Sequence, residues 1–208
     1  MCSMAVKAGQ YRGMTAEQRH ADRRTRLLEA TLEVWGSEGG PTVTMTRICA
    51  AAGLTERYFY QSFSGLDEAL MAVMDDIAAQ IAERAVAAVD ETEGGPTERV
   101  RAGIGAFVEI LTDDPRKGRV AIVESVSLDA LRPHRARLLR QFAELAQHEA
   151  GELYGPEAWS EKEGRMAATM FIGGVAELVT AWIEGTLEAT PDDIVEAATH
   201  HFTATAHR

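Results

Sequence analysis

Cysteine is scarce. Cys2 and Cys49 are the whole complement in 208 residues, too few and too differently placed for a disulfide framework. Cys49, set in an apolar stretch, reads as a small buried hydrophobe. No apolar run follows the polar start, so no secretory signal is expected and cytoplasm is the expected compartment. The most apolar stretch, MAATMFIGGVAELVTAWIEG, is interrupted by Glu177 and is expected as a buried or interface helix rather than a membrane span. Strand-type alternation is missing beyond residue 64, and so are internal repeats and low-complexity linkers. The chain also lacks a glycine-rich phosphate loop, Cys/His metal spacing and a nucleophile elbow. His200 and His201 are adjacent and diverge on a helix, unlike a metal-binding pair at i,i+4. Neither an enzyme nor a bound metal or cofactor is therefore expected, which leaves a helical binding protein.

Acid is abundant but unevenly spread. The formal net charge is −11. Residues 1 to 63 hold eight Lys/Arg against six Asp/Glu, whereas residues 64 to 208 hold 13 against 26. The acidic excess of the second part reads as a solvated surface, and the first part is left mildly basic. At this length the chain can bury one small and one moderate core. Two domains are expected, over residues 1 to 66 and 67 to 208.

Residues 42 to 70, TVTMTRICAAAGLTERYFYQSFSGLDEAL, carry the most information. Two short helical patterns, Thr44 to Ala52 and Thr55 to Ser62, are joined at Gly53, a residue free to take positive φ at a helix C-terminus. Ile48 and Cys49 face inward on the first, and Leu54 plugs back into the same small core. Thr44 and Thr55 stand at N-cap positions. Phe59 and Phe63 are one helical repeat apart and point inward. Glu56, Arg57, Tyr58, Tyr60, Gln61 and Ser62 are left on the outer face. Two short helices at a fixed angle can lay the second in the DNA major groove, with hydroxyls and phenols against phosphates. Upstream, Leu27, Leu28, Thr31, Val34 and Trp35 mark a supporting helix from about Arg23, ended by Gly39-Gly40-Pro41. The polar arm before and at its start holds Lys7, Arg12, Arg19, Arg23, Arg24 and Arg26, either solvated or set against phosphate or minor groove.

This segment resembles the N-terminal domain of the TetR (tetracycline repressor) family of bacterial transcriptional regulators. Leu27-Leu28-Glu29-Ala30, Thr44, Ile48-Cys49-Ala50-Ala51-Ala52-Gly53, Thr55, Phe59-Tyr60, Phe63 and Leu70 match the family pattern in order, over roughly residues 23 to 70. The resemblance implies an all-α fold, with a three-helix helix-turn-helix domain before a larger helical domain for ligand binding and dimerisation. It puts Thr44 and Tyr60 on DNA phosphates, and Thr55, Glu56, Arg57, Tyr58, Gln61 and Ser62 at or near the DNA surface. Two departures stand out. Leu66 replaces a lysine that commonly grips a phosphate, and Glu56 is acidic where a small or basic residue is usual. Glu56 either accepts from cytosine N4 or caps the helix dipole.

Downstream, the periodicity predicts helices over about 67–88, from about Val100 to Asp113, over 119–128, 135–153, 161–184 and 192–204. The last two form an expected association surface of Phe171, Gly174, Val175, Leu178, Trp182, Ile194, Ala198 and Phe202; an ordinary intramolecular core is the other reading. Phe107, Phe142, Met166 and Met170 are candidates to line an effector cavity, since methionines and aromatics make adaptable apolar walls. Glu124, inside VAIVESVSL, either meets an arginine or awaits a ligand. The expected partners are operator DNA, a second copy of the chain and an unidentified small-molecule inducer, with no membrane. A helical small-molecule carrier with a degenerate DNA-binding head is the alternative.

Overall fold

The computed structural model describes residues 15–39 and 42–207. Helix α1 (Ala16–Glu38) starts well before Arg23, because Thr15 and Gln18 form a reciprocal cap: the Thr15 hydroxyl accepts from the Gln18 N–H and the Gln18 carbonyl accepts from the Thr15 N–H. Arg19, Arg23, Arg24 and Arg26 therefore ride on a helix and not on an arm. Lys7 and Arg12 lie outside the described residues. Helix α2 (Met45–Ala52) ends at Gly53, whose φ of 62° is the left-handed turn its position demands. Helix α3 (Glu56–Ser62) follows at once. Phe59 and Phe63 are buried on its inner side; removing each ring from water contributes about 1.5–3 kcal/mol.

The body is built on α4 (Leu66–Glu91), which begins just after α3 and runs roughly 39 Å at 1.5 Å per residue. It packs against α5 (Pro96–Asp113), and α5 packs in turn against the last helix, α10 (Pro191–Thr205). The long helices α8 (Arg132–Tyr154) and α9 (Glu161–Ile183) pair beside them. Buried apolar side chains form one continuous cluster from Leu27 and Trp35 in α1 through Leu70, Ile77 and Val120 to Val179 and Ile194. The head and the body thus share packing across the start of α4.

Between α5 and α8 the chain departs from the single helix expected over 119–128. A short α6 (Pro115–Gly118) runs into a π-helical turn, Arg119–Glu124, then a brief α7 (Ser125–Ser127) and a 3-10 turn. Periodicity alone does not register such a wide turn, since it still buries Val120 and Glu124.

The face of α9 expected to meet a second copy is instead spent within the chain. Phe171 is buried, Val175, Leu178 and Trp182 pack against the core, and Ile194, Ala198 and Phe202 of α10 are buried with them. Phe171 and Phe202 meet edge to face, with centroids 5.0 Å apart. These residues recur at helical spacing because α5 and α10 need them. Gly174 alone of the expected set is exposed, at the edge of that stripe.

Candidate nucleic-acid interface and the apolar cavity

The outer face of α3 is held out by α1. Arg24 donates to the Ser62 carbonyl at 3.0 Å, and its guanidinium lies 4.6 Å from the centre of the Phe63 ring. Arg26 donates to the Ala52 carbonyl at the end of α2, and His20 Nε2 lies 3.1 Å from the Gln61 carbonyl. Carbonyls in the last turn of a helix lack partners within it; side chains of α1 supply them for both short helices. Arg23 stacks over Tyr58 at 4.7 Å. These braces were not legible as such: a run of arginines upstream of a helix reads equally well as a phosphate-binding arm.

What remains free on that face is polar and aromatic. Glu56, Arg57, Tyr58, Tyr60 and Gln61 are exposed, Tyr60 at 58 % with its ring edge against Phe59. Ser62 is half-buried. Thr44 and Thr55 are exposed N-caps with different duties. The Thr44 hydroxyl accepts from the Arg47 N–H at 3.3 Å, whereas the Thr55 hydroxyl makes no capping bond. Glu56 lies in the first turn of α3, where a carboxylate suits the helix dipole, and accepts weakly from Thr46 at 3.5 Å. Its charge and burial together hold the Cys49 thiol above its ordinary pKa, burial being the larger cause. Leu66 opens α4 and packs against the core instead of reaching outward. Arg47, exposed in the first turn of α2, joins the face as a cation absent from the expected set.

Behind the head, α6 is clasped onto α1. Arg116 meets Glu29 at 3.0 Å, Glu33 at 2.5 Å and Asp114 at 2.8 Å. The Arg116 hydrogen bonds hold the Asp114 carboxyl below its ordinary pKa. Gly36 makes the approach possible: a Cβ there would lie 2.6 Å from the Arg116 Cβ. Glu124 belongs to this junction and not to a ligand site. It is buried, receives the Arg119 Nε–H at 3.1 Å, and its carboxylate lies against Gly39.

Inside the body lies an apolar cavity of about 210 Å³, walled by α4, α5, the π turn, α8 and the inner side of α9. It accounts for α8 burying fully only Ala143: Leu138, Leu139, Phe142, Leu145 and Ala146 line the cavity. Phe107 and Phe142 line it. Met166 and Met170 do not; they are 57 % and 72 % exposed on the outer side of α9, and the same periodicity that placed them inward fits the other face. The cavity's charged wall groups, Arg135 and Glu149, sit on the apolar stripe of α8, where the sequence pattern gives them no distinct signal. The Arg135 Nε is buried with no hydrogen-bond partner, and burial pushes the Glu149 carboxyl up. Among the described residues no group of three or more His, Cys, Asp or Glu is placed to hold a metal. His200 and His201 are exposed, the latter stacked on Phe171.

No protein-family model matches the chain. Solved structures do. The transcriptional regulator FadR of Bacillus subtilis, solved in complex with stearoyl-CoA, superposes with a TM-score of 0.74 at 19% identity, over 88% of this chain and 99% of that one. NalD of Pseudomonas aeruginosa, the secondary repressor of the MexAB-OprM multidrug efflux pump, gives 0.67 at 18% identity over 91% and 98%. A TetR family transcription regulator from Marinobacter aquaeolei gives 0.60 at 19% over 92% and 100%. At such identities the likeness is one of architecture, and it spans the head and body together: this chain has the all-helical fold of the TetR-family transcriptional regulators.

Proposed function

We propose that the chain is a ligand-responsive transcriptional repressor that binds a palindromic DNA operator as a homodimer and is released by a small-molecule inducer. One observation carries the reading: α3 is braced from behind by Arg24 and His20, and α2 by Arg26, while the outer face of α3 is left open. A degenerate head, as in a mere carrier, has no use for that bracing. Tyr60 and Thr44 would hold phosphates, Thr55, Tyr58, Gln61 and Ser62 would sit along the groove, and Arg57 is the best placed to reach a base edge. Glu56 would cap the helix dipole.

The partner copy would cover the outer face of α9. Met166, Met170, Gly173 and Gly174 are exposed there. A Cβ added to either glycine would meet nothing within 4 Å, so neither has a packing role inside the chain. Each nevertheless costs its helix about 1 kcal/mol relative to alanine. Close approach of a second helix gives both glycines a purpose. Two heads carried on such a dimer could read half-sites about 34 Å apart.

Release follows from a population shift. A ligand in the cavity would touch Ala121 and Ile122 of the π turn, and that turn packs on α1. If it fits better when the heads are splayed, operator affinity falls by that differential affinity. An electrophoretic shift with fragments from around the chain's own gene tests the proposal. Salt-sensitive binding to at least one fragment, in a two-subunit complex, is expected; no binding to any fragment at low salt would sink it.

A further inference from the structure

Resting on the reading of the body as an effector domain, we propose that its ligand is an elongated amphiphile with one anionic head, a carboxylate, seated on Arg135. The wall is apolar apart from Arg135 and Glu149, so these polar groups direct orientation. Arg135 is the one cation among the cavity's lining residues. Most arginines of the body already have carboxylates: Arg84 has Glu109, Arg116 has Asp114, Arg137 has Asp75. Arg135 has none within reach among the described residues, and its Nε is buried without an acceptor. A guanidinium held against an apolar space presents a planar fork that matches a carboxylate.

The other end of the cavity sets the rest of the ligand. Glu149 lies fourteen residues along α8, just under four turns, on the same side and roughly 21 Å away at 1.5 Å per residue. Between them the wall is Leu138, Leu139, Phe142, Leu145 and Ala146. The lining at that end holds a carboxyl group and no cation, so it offers no partner to a second anion. The ligand thus has a single charged end and an apolar body laid along α8.

The test compares dodecanoate, dodecanol and dodecylamine, each below its micelle concentration, as competitors of a neutral fluorescent probe in the cavity of the full-length protein. Dodecanoate is expected to compete at a concentration at least tenfold lower than dodecanol, and dodecylamine to compete worst. Arg135→Met should erase the preference for dodecanoate while leaving dodecanol where it was, with the thermal unfolding midpoint checking that the variant folds. Arg135→Lys should keep part of the preference. Equal competition by dodecanoate and dodecanol in the wild type, a preference for the amine, no competition by any of them, or a preference that survives Arg135→Met each overturns the assignment. DNA binding of the ligand-free protein is measured separately, so loss of the anion preference and loss of the regulator reading are distinguishable outcomes.

Discussion

Arg24→Met separates a brace from a phosphate contact. Methionine keeps most of the aliphatic stem, so the change removes the hydrogen bond to the Ser62 carbonyl at 3.0 Å and the guanidinium over the Phe63 ring. A hydrogen bond from a charged donor contributes roughly 1.5–3 kcal/mol when buried; Arg24 is half-buried, so about 1 kcal/mol is the appropriate share. The cation–π contact adds about 0.5–1 kcal/mol at such a site. A loss of about 1.5–2 kcal/mol lowers the unfolding midpoint by roughly 3–8 °C in a chain of this size. Operator affinity falls as well, because α3 loses its fixed angle. The decisive quantity is the slope of log K against log salt concentration. A brace touches no phosphate, so that slope is unchanged, whereas an arginine on a phosphate takes about 0.9 from it. Differential scanning fluorimetry gives the midpoint, and fluorescence anisotropy at a series of salt concentrations gives the slope. An unchanged midpoint together with a slope reduced by about one would refute the structural role and return Arg24 to the DNA.

Tyr60→Phe removes one exposed hydroxyl and should weaken operator binding about tenfold or less, with ligand affinity unchanged; anisotropy and ligand titration check both. Arg57→Ala should relax sequence preference across a set of single-base operator variants without moving the unfolding midpoint, since its side chain is exposed. Gly174→Arg puts a charged side chain where nothing inside the chain lies within 4 Å, so the monomer should fold as before but sediment as a single subunit. Asp114 is held below its ordinary pKa of 3.8 by the Arg116 hydrogen bonds, so its contribution is present above that value and lost as pH falls through the depressed one. Denaturant titrations below pH 4 should accordingly show wild type losing more stability than Asp114→Asn.

Local patterns were enough wherever one helix face meets one core. Phe59 and Phe63 are buried as their spacing says, and Gly53 turns the chain as a glycine at that position should. The sequence was ambiguous wherever a helix has two apolar faces. On α9, Phe171, Val175, Leu178 and Trp182 form one stripe and Met166, Met170, Gly173 and Gly174 another; only the packing of α5 and α10 decides which turns inward. Arg24 and Arg26 are ambiguous in the sequence for a similar reason. Their acceptors, Ser62 and Ala52, are carbonyls distant in sequence, and no side-chain pattern advertises a backbone acceptor. The apolar stripe of α8 was visible, but an empty space and a packed neighbour leave the same periodicity. Only the structure shows that this stripe, with Arg135 and Glu149 on it, borders something other than core.

On the proposed mechanism, the junction between cavity and head would exchange at small cost. Its polar part is Arg116 with Glu29 and Glu33, and the two glutamates are more than half exposed. Such pairs contribute about 0–1 kcal/mol each, so the clasp sets the position of α6 without locking it. Its packed part is tighter, because Gly36 lets the backbone of α6 close on α1 and a single Cβ would clash. Driving the heads from almost fully competent to almost fully released takes a differential ligand affinity of about 5.5 kcal/mol. A weak clasp would let most of that reach the heads instead of being spent on breaking contacts. Gly36→Ala tests the division. The helix gains about 1 kcal/mol from alanine, but a Cβ wedged at 2.6 Å from Arg116 must push α6 outward. The variant should release DNA at a lower ligand concentration than wild type, with ligand affinity in the absence of DNA little changed. Wild-type release at unaltered ligand concentrations would mean that the signal reaches α3 along α4 alone and bypasses the contact between α6 and α1.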